Sequence, residues 1–132
     1  MLRSAWLIGT LATLLICGGT THADAPAGRI IVQNYYYALP GKVNEVYELR
    51  LHASDVRGSL GLPRGRVLRR TKTAGSSADL PDVIWECEYP SAAAREKDVK
   101  VLGNIEEFER VERRMDTLLR KFQRAQFTVG GD

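Results

Sequence analysis

Residues 29–61 read RIIVQNYYYALPGKVNEVYELRLHASDVRGSLG, and the change of period inside this stretch decides the fold. Arg29 to Leu39 is rich in β-branched and aromatic residues and stops at Pro40-Gly41, a strong turn signal, so it reads as a strand. Its apolar run is nearly continuous, as in a strand covered on both faces. One face belongs under helices, and a second subunit is the expected cover for the other. From Gly41 the period becomes helical, with Val43, Val46, Leu49, Ala53, Val56 and Leu60 three and four residues apart. Gly61 suits the C-terminal end of that helix and Pro63 forbids its continuation. Arg50 and Arg57 fall on the shoulder of the apolar stripe, while His52 lies further round toward solvent.

The rest of the chain completes a β-α-β-β-α-β order. Gly65 to Thr73 (GRVLRRTKT) reads as a short basic strand, followed by a Gly/Ser-rich connector at residues 74–79. Asp82 to Tyr89 is the next strand and Pro90 closes it. Ser91 is a good N-cap for an alanine-rich helix, Gly103-Asn104 breaks it, and Asn104 is placed to cap the next. That next helix is expected from Ile105 to about Arg124. Ile105, Phe108, Val111, Met115, Leu118, Leu119 and Phe122 would be buried, and acids gather early and bases late, in keeping with the helix dipole. Ala125 to Val129 would be the last strand. The predicted class is therefore α+β: a ferredoxin-like βαββαβ domain, with a four-stranded antiparallel sheet carrying helices on one face.

The ends and the composition bound the rest. Residues 1–23 have the layout of a secretory signal peptide: Arg3, an uncharged run from Trp6 to Ile16, and Thr21-His22-Ala23 before a cleavage point. The run is about half the ~20 residues needed to cross a bilayer. The expectation is a secreted or periplasmic protein with no stable membrane insertion after cleavage, a disordered leader over 24–28, and a single domain over 29–132. Lys and Arg number 19 against 16 Asp and Glu. Signs are interspersed, which argues against nucleic acid as a partner. After cleavage Cys87 is the sole cysteine, so no internal disulfide is possible, and its place in a central strand reads as buried filler. One remaining histidine, His52, all but excludes a structural zinc site, so no metal is expected.

Alternate residues of a strand share a face. Val83, Trp85, Cys87 and Tyr89 therefore point one way, the side assigned to the helices, and Ile84, Glu86 and Glu88 point the other. On the first strand Asn34 shares a face with Val32 and Tyr36. The pleat alone does not say which face meets Trp85. Glu86 and Glu88 are expected to pair across strands with Arg66 and Arg70 on the far side, where such pairs would help specify subunit pairing. The aromatic residues have a plain reading as core, whereas a buried Asn34 needs hydrogen-bond partners.

Asn34 to Gly41 (NYYYALPG) and Val83 to Ala94 (VIWECEYPSAAA) together resemble the dimeric α+β barrel superfamily, near its antibiotic-biosynthesis-monooxygenase-like and NIPSNAP-like branches. The resemblance implies a homodimer whose paired sheets make a shared barrel, with one pocket per subunit. It implies that Asn34, Tyr36, Trp85 and Tyr89 line one cavity with Arg50 or Arg57 above. Where haem-binding members carry a histidine, this chain reads Phe108-Glu109-Arg110-Val111-Glu112, so haem is not expected and no cofactor is predicted. The function so implied is binding of a small aromatic or enolic ligand, with cofactor-independent monooxygenation or isomerisation as its chemical form. The alternative is a non-catalytic NIPSNAP-like binding or scaffold dimer, in which the same residues are packing.

Overall fold

The structure, a computed structural model, describes residues 28–75 and 79–130. The expected signal peptide, all of the leader before Gly28 and the middle of the Gly/Ser connector lie outside the described residues. The elements run β1 (Ile30–Ala38), α1 (Val43–Ser59), β2 (Arg66–Arg69), β3 (Val83–Tyr89), α2 (Ala92–Leu102), α3 (Glu106–Asp116) and β4 (Leu119–Thr128). One four-stranded antiparallel sheet has the order β2-β3-β1-β4. This is the ferredoxin-like arrangement read from the sequence.

Register settles the faces. Asn34 pairs with Trp85, Val32 with Cys87 and Ile30 with Tyr89, so these six share the helix-covered side. Val32, Val46 and Val83 are essentially inaccessible and anchor the core between β1, β3 and α1; full burial of such a side chain is worth about 1.5–3 kcal/mol. Cys87 is buried among them, and burial raises its thiol pKa. Ser91 caps α2 as expected, its hydroxyl accepting from the Ala94 N–H at 3.1 Å.

Four expectations are corrected. α3 ends at Asp116, and residues Leu119 to Arg124 are strand rather than helix. Leu118 is buried as expected, but in the turn, while Phe122 is half exposed. The competing demand is β1, whose outer edge would otherwise leave a row of unpaired N–H and C=O groups; β4 pairs with it from Ile30↔Thr128 to Ala38↔Leu119. Asn104 does not cap α3: its side chain donates to the Lys100 carbonyl at 2.8 Å, and Ile105 holds the N-cap position without a side-chain bond. β2 is only four residues, and Arg70 turns back to Asp82 at 2.5 Å instead of crossing to the glutamates. Arg66 does pair with Glu86, at 2.5 Å, and Glu88 is met by Arg29 at 2.9 Å. Finally, the buried face of α1 is Val46, Arg50, Ala53, Ser54 and Arg57, turned from the apolar stripe toward its arginine shoulder. Leu60 is exposed, and His52 faces solvent as expected. Among the described residues no helix is long and apolar enough to cross a membrane.

Candidate functional site

The turned helix α1 has a consequence: it drives two guanidinium groups into the space above the sheet. There a cavity of about 480 Å³ separates the sheet from the three helices, within the size range of small-molecule sites. β1 contributes Val32, Asn34 and Tyr36, β3 contributes Trp85 and Tyr89, and α1 contributes Arg50 and Arg57. The five residues singled out from sequence, Asn34, Tyr36, Arg50, Trp85 and Tyr89, thus surround one space. All five are buried, and the aromatic three are also members of the hydrophobic core, so core and cavity wall are one surface.

The two arginines differ in what holds them. Arg57 is held by an acid and two further acceptors. It pairs with Asp98 of α2 at 2.5 Å, donates to the Tyr89 hydroxyl at 3.0 Å, and donates from Nε to the Pro63 carbonyl at 2.7 Å. Both members of the ion pair are 3 % exposed in their side chains. Tyr89 in turn donates its hydroxyl proton to Asp98. Burial first, and this bond second, push the Tyr89 pKa above the ordinary phenol value, so the phenol stays protonated. Arg50 has no such partner. It is 4 % exposed, no acid pairs with it among the described residues, and its Nε is buried without an acceptor, while the Tyr36 hydroxyl is the polar group beside its guanidinium. Burial pulls its pKa down, the nearby Arg57 adds to that, and Tyr36 and Tyr89 offset part of it.

Trp85 forms the floor beneath both cations. The Arg50 and Arg57 guanidinium carbons lie 4.9 and 4.7 Å from the indole centroid, a stabilising cation–π geometry. The indole N–H donates to the Arg64 carbonyl at 2.9 Å, fixing the ring plane. Gly65 makes this possible. At φ +70° it lies so close that a Cβ there would meet Trp85 Cε2 at 2.6 Å and the Glu86 carbonyl at 2.7 Å. At the other end of the cavity Arg124 of β4 donates from Nε to Asn34 Oδ1 at 2.7 Å, and Asn34 Nδ2 donates to the Tyr36 hydroxyl at 3.3 Å. Exposed Arg124, Phe122, Glu112 and Asp116 form the rim.

Two residues of this site, Asp98 and Arg124, escape sequence reasoning. Asp98 had a readable signal: Ala94, Asp98 and Leu102 stand four apart on one helix face, and an acid on an apolar seam asks for a buried cation. Arg124 had none, because assigning it to a helix hid its cross-strand neighbour Asn34. Chemically, the site offers one net buried positive charge, an aromatic floor, an amide and phenol pair, and a neutralised Arg57–Asp98 pair. Among the described residues no group of three His, Cys, Asp or Glu side chains is placed to hold a metal.

No protein-family model matches the chain. No curated protein matches it either. Solved structures do. A NIPSNAP family protein from Agrobacterium tumefaciens superposes with a TM-score of 0.55 at 15 % identity, over 79 % of this chain and 88 % of that one. A dimeric protein of unknown function and ferredoxin-like fold from Bacteroides fragilis gives a TM-score of 0.57 at 8 % identity, over 80 % of this chain and all of its own. At these identities the likeness carries the fold alone, and that ferredoxin-like fold is the one expected from the sequence. A cofactor-independent oxygenase from Streptomyces nogalater matches more loosely, with a TM-score of 0.41 at 9 % identity over 82 % of this chain and 97 % of that one, and nothing about activity follows from it.

Proposed function

We propose that the cavity binds a small, flat, anionic molecule, aromatic or enolic, with Arg50 as its counter-ion and Trp85 as its stacking surface. The observation that carries this reading is the buried Arg50 cation without an acidic partner. A buried charge is retained against a desolvation cost of several kcal/mol only where something offsets it, and the cation–π contact to Trp85, worth about 2 kcal/mol or more when desolvated, offsets only part of that cost. A ligand carboxylate, enolate or phenolate would supply the rest. An enolate held this way is also the species from which cofactor-independent oxidation by dioxygen or isomerisation proceeds, which is the catalytic form of the reading. The non-catalytic scaffold alternative calls for a filled interior, and the open space beside Asn34, Arg50 and Arg124 disfavours it.

The working unit in this reading is a homodimer, exported by the N-terminal signal, in which two chains pair the sheet faces not covered by helices. Half-buried Ile31, Tyr35 and Ile84 on that face support it, with Leu68 and Phe127 exposed beside them, as does the dimeric state of the Bacteroides fragilis structure. Thermal-shift measurements with benzoate and benzamide, which differ in charge but hardly in shape, test the ligand reading. Benzoate at a hundredfold excess over its dissociation constant should stabilise the protein by about 2.7 kcal/mol and benzamide far less. Equal responses to the two, or none to any aromatic or enolic acid, would exclude Arg50 as an anion receptor.

A further inference from the structure

One hydrogen-bond chain in the cavity has a direction that chemistry alone dictates. Arginine has only donors, so the Asn34 atom facing Arg124 Nε at 2.7 Å must be the amide oxygen. The Asn34 NH₂ is then the group that faces the Tyr36 hydroxyl, at 3.3 Å. An NH₂ only donates, so the Tyr36 oxygen accepts and its proton must point elsewhere. Among the described residues that proton has no acceptor. Tyr36 is 4 % exposed, lines the cavity, and stands beside the Arg50 guanidinium, which no acid pairs with and whose Nε has no acceptor.

We infer that Tyr36 and Arg50 together form an oxyanion site, the Tyr36 O–H and the Arg50 guanidinium receiving one charged oxygen of the ligand, while Asn34 and Arg124 act at one remove by fixing the direction of the Tyr36 proton. This deepens the proposed function and rests on it. It narrows the ligand to one that presents a single phenolate or enolate oxygen, and it reassigns Asn34 from ligand contact to positioning residue. No group of the protein needs to accept a proton: the ligand loses its hydroxyl proton to solvent and binds as the anion. The other charges facing the cavity nearly cancel. Arg57 of α1 is neutralised by Asp98 of α2, Tyr89 of β3 stays protonated, and Arg95 of α2 and Arg124 of β4 are opposed by Glu112 and Asp116 of α3.

The probe is 4-nitrophenol, whose anion alone absorbs in the visible, so its ionisation can be followed while bound. Bound to the parent protein, its titration midpoint should lie about one to three pH units below the free value. Tyr36→Phe should raise the bound midpoint by about one unit, the worth of one hydrogen bond to a charged oxygen. Asn34→Ala (or Asn34→Ser, should alanine weaken the fold) should raise it in the parent and leave it unmoved in the Tyr36→Phe background, because Asn34 acts through that hydroxyl. A bound midpoint equal to the free one, a Tyr36→Phe variant identical to the parent, or an Asn34 effect that persists without the hydroxyl would each overturn the inference while leaving anion binding intact. Failure of 4-nitrophenol to bind at millimolar concentration, where benzoate does bind, overturns it too; failure of both removes the ligand reading itself.

Discussion

Asp98 is the residue whose loss separates structure from site. It is the only acid in described contact with the buried Arg57, and it accepts the Tyr89 proton as well. Asp98→Ala would strand Arg57 as a second uncompensated buried cation, and removing one partner of a buried pair costs about 3–5 kcal/mol. Asp98→Asn keeps the shape and one acceptor oxygen, and should cost less than half as much; urea denaturation of the two variants measures the difference. Equal costs would mean that packing of α2, not charge, sets the stability there. The signals at this scale were uneven. Trp85 and Tyr89 were legible as a pair because alternation in a strand puts them on one face, whereas Tyr36 and Asn34 joined them only through the family resemblance. Arg50 was legible only as a shoulder residue. That no acid pairs with its side chain is a property of the assembled cavity, which no spacing rule encodes.

Among the elements, β2 and the loop before it carry more of the site than their length suggests. The close approach of Gly65 to Trp85 sets the cavity floor, and the left-handed backbone at Gly65 disfavours any side chain. Gly65→Ala should destabilise by about 2–4 kcal/mol, combining backbone strain with a clash against ring and backbone atoms. It should also change the emission of Trp85, the one tryptophan among the described residues. A Gly65→Ala protein with parental stability and fluorescence would show that the floor is not fixed there. β1, α1, β3 and the Ser91-capped α2 were readable from period and punctuation. The α3–β4 junction was not, since Val111, Met115, Leu118 and Phe122 continue a helical period across it. The need of the β1 edge for a partner won over that local pattern.

Seen as a whole molecule, one sheet face is closed by helices and the other is a mixture of half-buried apolar groups and an organised polar network. Tyr35 donates to Gln33, Gln33 to Glu86, and Arg66 pairs with the same carboxylate, all near 2.5 Å. The Gln33 and Arg66 bonds hold the Glu86 carboxyl below the usual carboxylate range, so it remains charged at neutral pH. Light scattering at micromolar concentration should report a dimer, and Phe127→Asp, which puts a charge in the apolar part of that face, should shift it toward monomer by about tenfold or more in dissociation constant. A monomeric parent protein would remove the dimer from the account and leave the cavity. The cavity itself is tested by melting Arg50→Met in the absence of any ligand. If Arg50 is a buried cation awaiting an anion, an apolar side chain of similar length should raise stability by about 1–3 kcal/mol, lifting Tm by about 5 °C or more, and abolish the response to benzoate. A variant that melts below the parent would mean that the fold already satisfies Arg50, and would contradict the binding site.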